Sequence, residues 1–318
     1  MRFAFLFPGQ GSQAVGMGRA LAEAYPAARE TFATADTVLG EGFSRLCWEG
    51  PEDELRRTVN AQPALLAHSV AAQRMLEAAG VKPELVAGHS LGEYSACVAA
   101  GALCFEHALR LVRRRGELMY QAGLDRPGAM AAILGLSLDD VSAACRDASP
   151  SGVAVPANLN APGQIVISGD PAAVEAACEN AKARGAKRAI RLDVSGAFHS
   201  PLMGPAAEGL ARAIDETPMS EARVPVIANV SAQPVRTPDE IRTALKSQLL
   251  GAVRWEDTMR GMLSSGIEGF VEVGTGKVLR GLLRTIDKQA PSWNVEDPES
   301  LKATLDALGA GRVGAAGA

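Results

Sequence analysis

The chain opens on an unbroken apolar run, Phe3-Ala4-Phe5-Leu6-Phe7, which stops at the loop Pro8-Gly9-Gln10-Gly11-Ser12. A run apolar on both faces and closed by a glycine turn reads as a buried strand. Helical periodicity follows over about 17–39, 51–58 and 63–79, the last with Pro63 suited to a first helical position. Glu84-Leu85-Val86-Ala87-Gly88 is a second short buried strand, and helical pattern returns over about 91–100 and 106–121. Strand, glycine turn, helix and strand again predict an α/β fold with a mainly parallel sheet.

Near residue 125 the texture changes. Apolar alternation predicts strands over 128–134, 153–158, 164–168 and 187–194, with helices over 138–148 and 171–184. The order β-α-β-β-α-β is that of a ferredoxin-like unit. Residues 127–197 are therefore expected to form a small subdomain, inserted into a large one made of 1–126 and 198–308. After the insert, helices are predicted over 202–216, 238–249 and 255–265, and strands over 224–230 and 268–273. Gly274-Thr275-Gly276 turns into a last helix ending near 288. The Gly/Ala-rich tail 309–318 is expected to be disordered, and no internal repeat is visible.

Composition narrows the function classes. With 318 residues and 47% apolar, the chain can bury a sizeable core, as one large domain or two unequal ones. A net charge of -4 argues against a general nucleic-acid binder, and 4% aromatics against a stacking platform for single strands. Five widely spaced cysteines form no C-x-x-C pair, which disfavours a zinc site or a disulfide framework and fits a reduced, cytoplasmic setting. No segment is long enough to span a membrane, and the N-terminal apolar run is too short for a signal-peptide core.

The sharpest chemical signal is Gly88-His89-Ser90-Leu91-Gly92, a G-x-S-x-G sequence that follows a predicted strand and opens a predicted helix. That context makes a nucleophile elbow, with Ser90 exposed on a tight turn beside a helix N-terminus. A serine nucleophile needs a base. Of the four histidines, His89 points away from an elbow serine, His68 lies among alanines and leucines as a packed residue, and His107 starts a helix. His199, where the chain leaves the insert, is the remaining candidate. The third member stays open between Asp193, Asp257 and a carbonyl acceptor. Leu91 offers one oxyanion-hole N–H, and the glycine loop offers a second from Gln10. Read as a phosphate cradle, that loop lacks the Lys-Ser/Thr of a P-loop.

One arginine stands out on the helix over 106–121. Ala108, Leu109, Leu111, Val112, Leu118 and Met119 make an apolar stripe, and Arg115 falls near its middle. A buried guanidinium must have a partner, either an internal carboxylate or the carboxylate of a substrate.

Gly9-Gln10-Gly11-Ser12-Gln13, Gln62-Pro63-Ala64, Gly88 to Ser95, Arg115-Gly116 and Phe198-His199-Ser200-Pro201-Leu202-Met203 occur in one order. So do Asn158 to Gln164 and Glu272 to Leu279. With this set the chain resembles the malonyl-CoA:acyl-carrier-protein transacylases, relatives of polyketide-synthase acyltransferase domains, from Phe3 to about Ile286. The resemblance implies an α/β-hydrolase-like core with the ferredoxin-like insert and an active site between them. It implies Ser90 as nucleophile, His199 as base, and Gln248 as the residue whose main-chain carbonyl orients the histidine. Gln10 and Leu91 would form the oxyanion hole, and Arg115, Gln62, Phe198 and Asn160 would contact substrate. Phe198 and Leu91 match malonyl-selective members, whereas many polyketide-type domains carry histidine where this chain has Gly196.

The implied reaction is ping-pong transfer of malonyl from malonyl-CoA to the phosphopantetheine thiol of acyl carrier protein, for fatty-acid synthesis, with no metal or bound cofactor. Lys187, Arg188, Arg191, Arg284 and Lys288 are candidates to receive an acidic carrier. The rivals are a trans-acting polyketide acyltransferase, a serine thioesterase or hydrolase, and an idle acyl-CoA sensor.

Overall fold

The computed structural model describes residues 2–194, 196–311 and 313. Its strands are β1 (Phe3–Phe7), β2 (Leu85–Gly88), β3 (Ala129–Leu134), β4 (Ala154–Ala161), β5 (Gln164–Gly169), β6 (Arg188–Arg191), β7 (Val226–Ile227), β8 (Pro234–Val235), β9 (Gly269–Val273) and β10 (Ser292–Val295). The helices of the first part are α1 (Arg19–Ala24), α2 (Pro26–Leu39), α3 (Phe43–Glu49), α4 (Glu52–Arg56), α5 (Thr58–Ala78), α6 (Gly92–Ala99) and α7 (Phe105–Asp125). Then come α8 (Leu138–Asp147), α9 (Pro171–Ala183), α10 (Gly204–Glu216), α11 (Pro238–Gln248), α12 (Trp255–Ser264), α13 (Val278–Ile286) and α14 (Pro298–Leu308).

The protein is α/β, and its strands form two sheets. The larger runs β10-β9-β1-β2-β7-β8, parallel except for β8. β1 lies inside it, and Ala4, Phe5, Leu6 and Phe7 are wholly buried. Phe5 and Phe7 face the main core, while Ala4 and Leu6 face a second core with Trp255 and Phe270. This two-sided burial is why the strand carries no polar alternation. The smaller sheet, β4-β5-β3-β6, is antiparallel and packs α8 and α9 over a core of its own. The segment before α12 joins the two parts: Val253 exchanges main-chain hydrogen bonds with Ala157 and Leu159 at the edge of β4.

Several elements differ from the sequence reading. The helix expected over 17–39 breaks at Tyr25, which is extended because Pro26 disfavours a helical conformation in the residue before it. The helix expected from Pro63 starts at Thr58, so Pro63 lies inside it. Thr58, Ala61 and Gln62 are buried, and Gly116 brings α7 so close that a Cβ there would stand 2.8 Å from the Thr58 carbonyl. Tertiary packing thus extends the helix beyond its local start signal.

The strand expected over 224–230 is reduced to the two residues of β7. α3, β10 and α14 were not anticipated. The start of α14 was legible, because Asp297 and Ser300 form a capping box around Pro298. Of the expected disordered tail, Gly309 ends α14 in a left-handed conformation and the Ala310 N–H returns to Leu305 O. Residues 312 and 314–318 lie outside the described residues.

Candidate active site

The turn between β2 and α6 presents Ser90 with φ 52°, a left-handed conformation that non-glycine residues adopt only when their surroundings enforce it. The turn is tight because backbones touch on every side of it. A Cβ on Gly88 would lie 1.9 Å from Gly92 O, one on Gly92 2.1 Å from Phe7 O, and one on Gly9 2.5 Å from His89 O. These glycines are required by close approach, since none of the three has a positive φ.

His199, itself at φ 57°, enters from the segment after β6, and its Nε2 lies 2.7 Å from Ser90 Oγ. Its Nδ1 faces two carbonyl oxygens, Gln248 O at 2.9 Å and Gly251 O at 3.2 Å. A carbonyl only accepts, so Nδ1 carries the hydrogen and Nε2 presents its lone pair to the serine hydroxyl. Burial, then the charge of Arg115, pushes the imidazole down to about 3, so it is neutral and able to accept a proton at neutral pH. Neither aspartate considered from sequence takes part: Asp193 is exposed beside Arg56, and Asp257 pairs with Arg254.

Arg115 is 1% exposed. Nη1 donates to Gln62 Oε1 at 2.8 Å, and Nη2 to Gln248 Oε1 at 3.0 Å and Ser90 Oγ at 3.2 Å. Its guanidinium lies 5.5 Å from the centre of the Tyr94 ring, and Nε is buried with no partner. Among the described residues no carboxylate pairs with it. Neutral amides hold this cation in place at the serine, and Glu93 acts on it through space without a direct ion pair. From Gln62, Nε2 donates to Thr58 Oγ1 at 2.8 Å, and Thr58 Oγ1 donates to Gln10 Oε1 at 2.9 Å. The guanidinium and the glycine loop are thus tied by one relay. The main-chain N–H groups of Gln10 and Leu91 have no partner among the described residues.

Beneath the serine lies a second set of polar groups, of which the sequence reading named only Gln248, and that for its main chain. Gln248 Nε2 donates to Ser90 O at 2.8 Å and to Glu93 Oε2 at 2.7 Å. Two acceptors on one side of the amide force Oε1 toward Arg115. Burial raises Glu93 to about 7, against the opposing hydrogen bonds from Gln248 and the Asn229 N–H. Glu93 follows the G-x-S-x-G motif directly. Asn229 and Thr58 carry no motif signal, and only the fold brings them here.

The groups open into a cleft of about 840 Å³ lined by Gln10, Ser90, Arg115, Met119, Phe198 and His199 from one side and Met130, Asn158, Leu192 and Val194 from the other. Asn160 is not among the lining residues. Its Oδ1 accepts from His89 Nε2 at 2.8 Å. Strand alternation alone would put Asn158 and Asn160 on one face, but a register irregularity between Leu159 and Ala161 intervenes, and Asn158 lines the cleft while Asn160 braces the elbow. His68 is a packed residue, bonded to Thr275 Oγ1 and Glu296 O. A second cavity, of about 570 Å³ beside Cys145 and Arg146, has no nucleophile and base pair.

Residues 4–297 match the acyl transferase domain family. The malonyl CoA-acyl carrier protein transacylase of Bacillus subtilis strain 168 is 47% identical over 308 residues, covering 96% of this chain and 97% of that protein. Among solved structures, the malonyl CoA-acyl carrier protein transacylase of Coxiella burnetii superposes with a TM-score of 0.93 at 42% identity, covering 96% and 97% of the two chains. A structure of a type II PKS acyl-carrier protein in complex with its malonyl-transacylase gives a TM-score of 0.93 at 43% identity, covering 96% and 100%.

Proposed function

Because the chain belongs to the acyl transferase family, among the malonyl CoA-acyl carrier protein transacylases, we propose that this cleft moves a malonyl group through Ser90. The protein takes malonyl from malonyl-CoA and delivers it to the phosphopantetheine thiol of acyl carrier protein. The observation that carries the assignment of residues is the juxtaposition of a serine–histidine pair with a buried arginine that has no carboxylate paired with it among the described residues.

His199 Nε2 takes the Ser90 proton as Oγ attacks the thioester carbonyl. The oxyanion faces the N–H groups of Gln10 and Leu91, and two such donors are worth several kcal/mol, about 3 each, in a dry site. The tetrahedral intermediate collapses, its C–S bond breaks, and His199 returns the proton to the departing thiolate of CoA. The carrier thiol then repeats the sequence on malonyl-Ser90. Gln248 O holds the imidazolium that forms in each half-reaction. Arg115 grips the malonyl carboxylate in a bidentate pair, with Gln62 and Gln248 fixing its plane. Phe198 packs beside the base, which supports selection against an α-branched acyl group.

The subdomain boundaries near 127 and 197 fit this reading, since the smaller sheet supplies the wall that closes the cleft. Net-positive β6, with Arg188 and Arg191, supports reception of an acidic carrier beside that wall. A cytoplasmic setting is part of the reading and is supported by five unpaired cysteines, four of them buried. Fatty-acid synthesis is the assigned pathway, and the type II PKS complex keeps a polyketide carrier as the comparison substrate.

The test is intact mass after mixing with malonyl-CoA. The protein should gain one malonyl group, Ser90→Ala should gain none, and loaded protein should discharge to holo carrier much faster than to water. Release of free malonate at the same rate without carrier would make the protein a hydrolase.

A further inference from the structure

Ser90 can attack only if its peptide stays in the strained left-handed conformation, and something must hold it there. One buried side chain spans that peptide. Asn229 Oδ1 accepts the Ser90 N–H at 2.7 Å, and its Nδ2 donates to Gly88 O at 2.7 Å. The donor and the acceptor fix the carboxamide in one orientation. β2 pairs with β7 only as far as Ala87 opposite Ile227. Two residues further on, where the chain leaves the strand plane for the elbow, the Asn229 amide takes the place of the next rung. Its own backbone is pinned on both sides, with N–H to Glu93 Oε2 at 3.2 Å and C=O accepting the Arg254 N–H at 2.9 Å.

We propose that Asn229 is a positioning residue for malonyl transfer, whose carboxamide clamps the Gly88 carbonyl and the Ser90 N–H and so aims Ser90 Oγ at His199. Asn229 does not line the cleft, so it acts through Ser90 and not on substrate. The chemistry of the site selects the residue type. A serine or threonine hydroxyl is too short to span both groups. An aspartate carboxylate would set a charge against Gly88 O and beside Glu93. A glutamine is one methylene too long for the space between the two strands.

The proposal rests on Ser90 as nucleophile, so the experiment includes Ser90→Ala. Single-turnover malonylation is followed by quenched flow and intact mass, malonyl-CoA affinity is measured in the Ser90→Ala background, and the melting temperature is recorded for each variant. Asn229→Leu should acylate about 30- to 300-fold more slowly, the loss expected from two hydrogen bonds. Its malonyl-CoA Kd should stay within about twofold of the parent, because binding does not use the clamp. Asn229→Asp supplies the second arm. As a neutral acid it reproduces both bonds, accepting at one oxygen and donating O–H to Gly88 O. Its rate relative to the unmutated protein should therefore rise as pH is lowered from about 8 to about 5.5, while the Asn229→Leu ratio stays flat. The ionisable groups facing this network are His89 between the two clamped groups, Glu93 from α6, Arg115 from α7 and His199, and using the ratio cancels their shared titrations.

An Asn229→Leu rate within about threefold of the parent, or an Asn229→Asp ratio that is flat with pH, overturns the proposal. Should Asn229→Leu fail to fold, the Asn229→Asp ratio alone decides. Malonyl carried by Ser90→Ala would instead overturn the nucleophile assignment.

Discussion

Arg115 spends its charge in an unusual place: a buried helix face, among neutral amides and within 3.2 Å of the attacking oxygen. Burial lowers its pKa, opposed by Tyr94 and Glu93, yet a guanidinium so far above neutrality keeps its proton. A buried cation with no direct ion pair among the described residues favours an anion strongly, and malonyl brings one where acetyl does not. Arg115→Ala should therefore lower kcat/KM for malonyl-CoA by about 100- to 1,000-fold, the worth of a buried bidentate pair, while acetyl-CoA changes by less than about tenfold. Equal losses for both substrates would mean that the guanidinium serves the serine and not the acyl carboxylate. At the same scale, Gln248 joins the chemistry at both ends, holding His199 through its main chain and Arg115 through its side chain.

At the scale of elements, the site is a place where β1, β2 and α6 come within backbone contact. Gly92 begins α6 directly against Phe7 O. Backbone cannot yield as a side-chain tip does, so a methyl there must push the helix off the strand. Gly92→Ala should cost about 3 kcal/mol or more of unfolding free energy, the upper range for overpacking. Urea denaturation checks this, and a loss below about 1 kcal/mol would show that α6 tilts freely. The displaced helix carries Leu91 and Glu93, so activity should fall with stability. The break between α1 and α2 and the lengthened α5 show the same rule from the other side. A proline decides locally at Tyr25, whereas packing against α7 decides at Thr58.

The whole molecule balances two opposed sets of buried ionisable groups. Burial pushes His68 down to about 4 and His199 to about 3 and lowers His89, so the unfolded chain takes up protons first as pH falls below its ordinary histidine value. That contribution is complete above about 6.5 and is lost on acidification. Burial raises Glu93 and Glu272 to about 7, so the folded chain holds protons that the unfolded chain has released. Their contribution is complete below about 4.5 and is lost as pH rises toward 7. The slopes oppose each other between about 4.5 and 6.5, three histidines against two glutamates. Below that range the histidines are joined by Asp170, Glu240 and Asp297, which are held below their ordinary values. The unfolding free energy should thus fall only gently from about pH 6.5 to 5 and drop more steeply below about pH 4.5, as read by urea midpoints across a buffer series. A steep fall already between about pH 6.5 and 5 would mean that Glu93 and Glu272 are ionised in the folded protein.

The α/β class was legible because a buried parallel strand must be apolar on both faces, and Phe3 to Phe7 is. Ser90 and the position of Arg115 were legible because a strand-to-helix glycine turn and a helical stripe are local patterns. β10 and α3 were not, since short elements flanked by turns carry too little periodicity. What holds His199 was left open by the residues themselves, between Asp193, Asp257 and a carbonyl, while the family resemblance implied the Gln248 carbonyl; the fold places Gln248 O there and adds Gly251 O. Only the resemblance pointed to Gln248; main-chain carbonyls leave no trace in residue type, so spacing did not mark them. The same holds for Asn160, whose neighbour Asn158 faces the cleft while it bonds His89, and for Asn229, brought to the elbow by the pairing of β7 with β2. Sequence determined which groups can do the chemistry, through local periodicity and turn composition. Tertiary structure alone decided which of them meet, because contacts across more than a hundred residues depend on strand order and helix packing.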